Sequence, residues 1–221
     1  MRSTVRKNTF KSYSRFLDQF QLRFSDVHVE SLKPDDMGSF LEQCTRELSR
    51  STRHLRFAQI KAFLNYIIEA AGLNIKNPCD TPVLSKAFRN IPHNPRKILD
   101  KETVDEIIFN SGNIRNRLIL ELQARCGLRI GEVLNLRATD ISGRKLMIQE
   151  PKSGREAEVA FMPEHIATRL ADYITAGKFS SNDRVFPICY TSVRNMIVGL
   201  GTKLNIKISP HDLRRHSATY A

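Results

Sequence analysis

At 221 residues the chain is long enough for one large domain or two of ordinary size, and at 41% hydrophobic it can build real cores, which excludes a disordered tail. Its 35 Lys and Arg against 23 Asp and Glu leave a formal charge of +12, a field that suits a polyanion, nucleic acid or anionic membrane alike, because each neutralised phosphate releases condensed counterions. No stretch approaches the ~20 apolar residues of a membrane span, and the opening MRSTVRKNTF lacks the apolar core of a signal peptide, so a cytoplasmic, soluble protein is the expectation.

Residues 8–92 read as helices separated by short breaks. The segment 39–48 places Leu41, Cys44 and Leu48 at helical spacing. Residues 52–71 form the clearest amphipathic helix, with Phe57, Ile60, Leu64, Ile67 and Ala71 on one face and Gly72 as its stop signal. A neighbouring stripe carries His54, Lys61 and Asn65, with Arg50, Arg53 and Arg56 near its start. That stripe is either an ordinary solvated face or one turned towards DNA. The run Ile91-Pro-His-Asn-Pro-Arg-Lys97 then breaks the periodicity, since two close prolines disfavour helix and suit a semi-extended connector. The expected organisation is a helical domain over 1–92, a linker over 93–99 and a second domain over 100–221. Residues 1–95 and 96–221 each carry a net +6, as expected of a clamp gripping a duplex from two sides.

The second half opens with a helix from about Lys101, with Asp100 as candidate N-cap and Thr103-x-x-Glu106 as candidate capping box. A helix over 114–126 follows, with Leu118, Ile119, Leu122 and Cys126 on one face and Gly127 placed to end it in the left-handed conformation. A short helix over 130–137 comes next. Lys145–Glu150 and Ala157–Met162 are β-like runs around Pro151-Lys152-Ser153-Gly154, a hairpin signal with a lysine at its tip. Helices over 164–176 and 192–204 and one opened by Ser209-Pro210 complete the chain. The fold class is thus mainly α with a small β-hairpin, in two domains. Cys44, Cys79, Cys126 and Cys189 are widely spaced with no CxxC pair, so a zinc site lacks its clustered ligands and buried, reduced thiols are expected.

Three separated elements carry chemistry: Ala124-Arg-Cys-Gly-Leu-Arg129-Ile-Gly-Glu132-Val-Leu-Asn-Leu136, the hairpin residue Lys152, and His211-Asp-Leu-Arg214-Arg-His-Ser. Forked guanidinium groups suit the non-bridging oxygens of a phosphoryl transition state, and Lys cannot replace Arg there without losing the bidentate geometry. His211 stands one helical turn before Arg214, so both can face one phosphate. The first run resembles the TGLR-x-x-E box of tyrosine recombinases (phage integrases) and the last their H-x-L-R-[HR] box, with the hairpin lysine at that family's spacing. The resemblance covers residue 97 to the end and, more loosely, the helical first half, which looks like a core-binding, SAM-like domain.

The resemblance implies site-specific integration, excision or resolution of double-stranded DNA through a 3′-phosphotyrosyl intermediate, by several protomers on DNA, with no cofactor and no metal. It assigns Arg129 and Arg214 to the phosphate, Lys152 to the departing 5′ oxygen, His211 to acid–base or phosphate contact and Glu132 to orienting Arg129. Arg215 is a further DNA-contact candidate, and His216 is expected to be structural. Members of the family continue past the His-x-x-Arg box to the attacking tyrosine, whereas this sequence stops at Ala221. Tyr220, Tyr173 and Tyr190 do not match its position, so the expectation is a chain that binds DNA without cleaving it, monomeric in free solution. A DNA-binding or regulatory relative that has lost the chemistry is the alternative function. A type IB topoisomerase-like nicking enzyme shares the Arg-Lys-Arg set and predicts supercoil relaxation without sequence preference.

Overall fold

The computed structural model describes residues 7–89, 98–149 and 156–220. The chain divides into two compact units, Met1–Pro95 and Arg96–Ala221, each with its own hydrophobic core. It is mostly helical, with one small antiparallel sheet.

In the first unit, α1 (Lys7–Arg23), α2 (Pro34–Thr45), α3 (Arg50–Ala70) and the short α4 (Pro82–Ala87) enclose a core rich in phenylalanine. Phe16, Phe20 and Phe24 recur every fourth residue along the chain and so share a face. Phe16 and Phe20 close on Phe40 of α2, with ring centroids 5.6 and 5.5 Å apart, and such pairs add ~0.5–1.5 kcal/mol beyond burial. Helix α2 starts earlier than its apolar spacing indicates. Pro34 fits the first helical position, and the Asp36 carboxylate accepts the Lys33 N–H at 2.9 Å. It ends at Thr45, whose hydroxyl turns back onto the Leu41 carbonyl, and Leu48 is left outside, 42% exposed. Phe57, Ile60 and Leu64 of α3 are buried as expected. Ile67 is only half-buried and Ala71 is exposed, because Ala71 already stands outside the helix as its cap, before Gly72 at φ +62°.

In the second unit, α5 (Lys101–Phe109), α8 (Glu164–Gly177) and α10 (Pro210–Tyr220) pack around α6 (Ile114–Ala124). Every residue of α6 from Leu118 to Ala124 is buried, the mark of a central helix rather than the one-sided helix its periodicity suggests. Its buried polar side chains find partners within α6 and on neighbouring elements, although Gln123 Oε1 is left without one. Glu121 accepts from Arg117 Nε at 3.1 Å and from Arg169 Nη1 of α8 at 2.6 Å, and Gln123 Nε2 donates to the Pro210 carbonyl at 3.0 Å. Asp100 caps α5 by accepting the Thr103 N–H at 2.6 Å; Thr103 therefore lies inside the helix and does not open a capping box of its own. Leu99, expected in the linker, is buried in this core.

After α7 (Ile130–Asn135) come β1 (Ile141–Ser142), β2 (Lys145–Gln149) and β3 (Ala157–Phe161), antiparallel in that order, with Leu146 opposite Ala160 and Ile148 opposite Glu158. The β2–β3 hairpin is the expected one. Strand β1 is an addition, since two residues are too few to show alternation. The connection bearing Lys152 lies outside the described residues, as does the proline-rich segment 90–97. Helix α9 (Tyr190–Lys203) precedes α10. Cys79 is buried and Cys44 and Cys126 are half-buried, but Cys189 is exposed, against expectation, because it caps the N-terminus of α9. No helix among the described residues is long and apolar enough to cross a membrane.

Candidate active site

The local sequence around Arg129 fixes its position from both sides. Gly127 adopts φ +68°, which lets the chain turn back so that the Leu128 N–H reaches the Leu122 carbonyl at 3.2 Å. A Cβ on Gly127 would stand 3.2 Å from Ser217 Oγ of α10, so that hydroxyl would have to shift by a few tenths of an ångström, while the left-handed turn itself favours glycine. Leu128 is buried, and Arg129 emerges as the N-cap of α7. Glu132 then holds it twice: one carboxylate oxygen accepts the Arg129 backbone N–H at 2.7 Å, the other accepts Nη1 at 2.6 Å. Glu132 is 10% exposed and the Arg129 side chain 36%, leaving part of the guanidinium open to solvent.

Helix α10 is fixed against α6 by contacts along its length. Asp212 accepts the Ser209 N–H at 2.9 Å and its hydroxyl at 2.6 Å, with Pro210 in the first turn. Leu213 and His216 are fully buried. Arg125 Nη1 donates to His216 Nε2 at 3.1 Å, so Nδ1 carries the proton and donates to the Leu99 carbonyl at 3.0 Å. Arg125 is in turn paired with Asp105. His216 is therefore structural, as the sequence reading expects.

This packing brings Arg214 into the electrostatic field of Arg129. Burial first, and then the positive charge of Arg129, hold the Arg214 guanidinium below its ordinary pKa, opposed by Glu132 and Glu158. It stays charged all the same. Arg214 Nη1 is buried with no hydrogen-bond partner, and an unmet buried donor is costly unless an acceptor arrives. Two neighbouring guanidiniums with a donor to spare are suited to an anion offering two oxygens. His211 lies exposed in the first turn of the same helix, one turn before Arg214. Arg215 is half-buried and donates to Asp212 Oδ1 at 3.1 Å. Lys152 falls outside the described residues. Glu158 is the residue that sequence reasoning misses: with Ala160 it is one of the two half-buried members of alternating β3, a signal of facing inward but not of a charge acting on Arg214.

The first-unit candidates are largely engaged within that unit. Arg56 donates to the Ser12 carbonyl and to Gln59, both at 2.9 Å, and lies over Phe16. Lys61 pairs with Asp80, and Asn65 accepts from Asn77 at 2.6 Å. His54 Nδ1 meets the Phe88 carbonyl at 3.0 Å. Arg53 pairs with Glu42 at 2.5 Å and lies over the Phe88 ring. Arg50 lines a basic depression beside Arg53.

Residues 97–220 match the model of the phage integrase family, and residues 2–71 that of the phage integrase N-terminal SAM-like domain. A tyrosine recombinase of Thermosipho africanus (strain TCF52B) is 27% identical over 233 residues, spanning 97% of this chain and 79% of the relative. The integrase of transposon Tn1549, solved with transposon right end DNA, superposes with a TM-score of 0.79 at 19% identity, over 99% of this chain and 82% of that one. A lambda integrase tetramer bound to a Holliday junction gives a TM-score of 0.74 at 15% identity, over 97% and 67%. Together with the family match over more than half its length, the Arg129 and Arg214 boxes place the chain in the phage integrase family, the tyrosine recombinases, and membership of that family implies site-specific DNA recombination.

Proposed function

We propose that the chain binds double-stranded DNA as one protomer of a recombination assembly and that Arg129 and Arg214 together hold the scissile phosphate. What supports this is the Glu132 clamp on the Arg129 guanidinium, the buried Arg214 Nη1 left without a partner, and the charge of Arg129 acting on Arg214. In the reaction a tyrosine hydroxyl attacks phosphorus and gives up its proton, the bond to the 5′ oxygen breaks, and that oxygen takes up a proton. Charge grows on the non-bridging oxygens, where forked donors stabilise the transition state more than the ground state. Lys152 is assigned to protonate the 5′ oxygen, and His211 to contact the phosphate or move a proton. The phosphotyrosyl bond conserves the phosphodiester energy, so religation is the reverse step and no cofactor enters.

None of the five tyrosines is assigned as the nucleophile. Tyr220 lies against His216 with ring centroids 4.6 Å apart, on the helix that carries Arg214. Tyr173 packs on Phe179 and Phe186. The fold shared with DNA-bound integrases, among them a tetramer on a Holliday junction, supports several protomers on DNA; without DNA the chain is taken to be monomeric.

Duplex affinity should fall linearly on a double-logarithmic plot against salt, as several phosphate contacts require. Salt-independent binding, or none at low ionic strength, would remove the DNA reading. A suicide substrate should trap no covalent adduct with this chain, and an adduct at Tyr220 would overturn the nucleophile assignment. Inorganic vanadate should perturb the guanidinium resonances of Arg129 and Arg214 together. A response from only one would separate them.

A further inference from the structure

Polar groups from α5, α6 and α10 close a ring of contacts beside both arginine boxes. Arg125, the C-cap of α6, pairs with Asp105 of α5 and donates to His216 Nε2 of α10 at 3.1 Å. His216 Nδ1 donates in turn to the Leu99 carbonyl, just ahead of α5, at 3.0 Å, which completes the ring. Because arginine only donates, Nε2 must accept and Nδ1 must carry the proton, so each ring nitrogen has one partner and one role. The imidazole is fully buried, with the Tyr220 ring 4.6 Å away. A second tie holds the opposite end of α10, where the buried Gln123 donates to the Pro210 carbonyl at 3.0 Å. Arg214 lies between the two ties, and Arg125 stands four residues before Arg129.

We infer that Arg125 and His216 are positioning residues, which hold α10 in the one register that lets Arg214 meet the same phosphate as Arg129. The inference rests on the phosphate reading proposed above and adds what aims the second guanidinium. Arg129 is fixed locally, since Glu132 grips both its backbone N–H and its Nη1. Arg214 Nη1 has no hydrogen-bond partner among the described residues, so its aim depends on where the helix beneath it sits. Burial of Leu213 holds α10 to the core, but that force is non-directional and tolerates a small slide or rotation. Hydrogen bonds of fixed geometry do not, and a buried network whose members are satisfied specifies one arrangement. His216 therefore does more than fill space: it carries the placement of α5 and of the end of α6 into the helix that bears Arg214.

The test titrates inorganic vanadate, a phosphate analogue, into the intact chain and reads the guanidinium resonances of Arg129 and Arg214. In the wild type both should move with one dissociation constant. His216→Asn keeps a donor for the Leu99 carbonyl but is too short to offer Arg125 an acceptor. Arg125→Met keeps the stem of a side chain that is 22% exposed and removes its donors, so it decides the matter should His216→Asn fail to fold. In each variant the Arg129 response should persist while that of Arg214 weakens by roughly tenfold. Arg125→Lys, which retains a donor, should recover part of that loss. Val104→Ala, in the core of the same unit but outside the ring, lowers stability without touching these contacts and should leave the shared constant intact. A shared constant in the ring variants, or the same separation in Val104→Ala, would overturn the inference and leave the phosphate reading standing. A wild type in which vanadate moves neither arginine, or only one, would bring down that reading and this inference with it.

Discussion

Burial pushes the thiols of Cys79 and Cys126 up to about 12, and the neighbouring carboxylates of Asp80 and Glu121, respectively, push the same way. Cys189 goes in the opposite direction. Its sulfur stands 3.2 Å from the Ser192 hydroxyl and also receives backbone N–H groups at the start of α9, which hold its thiol below the ordinary value. Iodoacetamide should therefore label Cys189 first in the folded chain, with Cys79 and Cys126 reacting only in denaturant. Labelling of Cys126 at the same rate as Cys189 would contradict this. The raised thiols also link stability to pH. Above the ordinary 9.0 the unfolded chain loses these protons while the folded chain keeps them, so their contribution is complete below 9 and declines towards about 12. Urea midpoints over that window should fall less steeply when both cysteines are alanine, and parallel curves would refute the linkage. The widely spaced cysteines indicate reduced thiols from sequence alone. The exposure of Cys189 is not legible there, because cysteine is not a residue type that announces a helix cap.

At the level of elements, the site depends on how closely α10 approaches the turn after α6. Gly127→Ala forces a side chain into the left-handed region, at about 1–2 kcal/mol, and also crowds Ser217. Adding Ser217→Ala removes the nearer contact but leaves the backbone strain, so the double variant should recover only part of the loss in urea unfolding. Full recovery would mean that φ is immaterial at this position. The Gly127–Arg129–Glu132 and His211–Arg214 boxes are legible because each is local: a turn, a cap and one helical step. Most helices are legible for the same reason, through period and caps. The contacts that join the two boxes are not, since Gln123 to Pro210 and Arg125 to His216 need α6 beside α10. Nor is the engagement of the α3 stripe, whose partners Asn77, Asp80 and Phe88 lie on later segments.

For the whole molecule, the even division of charge has a measurable consequence. Each unit has its own hydrophobic core and a net +6, so each is expected to fold by itself. Residues 1–95 and 96–221, made separately, should each unfold cooperatively, and their urea m-values should sum to that of the intact chain, since m follows the surface exposed. Counterion release is likewise counted per phosphate, at about 0.9 per contact on duplex DNA. If both units grip the backbone, the salt slope of the intact chain should equal the sum of the two fragment slopes. The intact affinity should far exceed either fragment's, because tethering converts the second contact into an intramolecular one. An intact slope equal to that of residues 96–221 alone would mean that the first unit's charge serves solubility rather than binding.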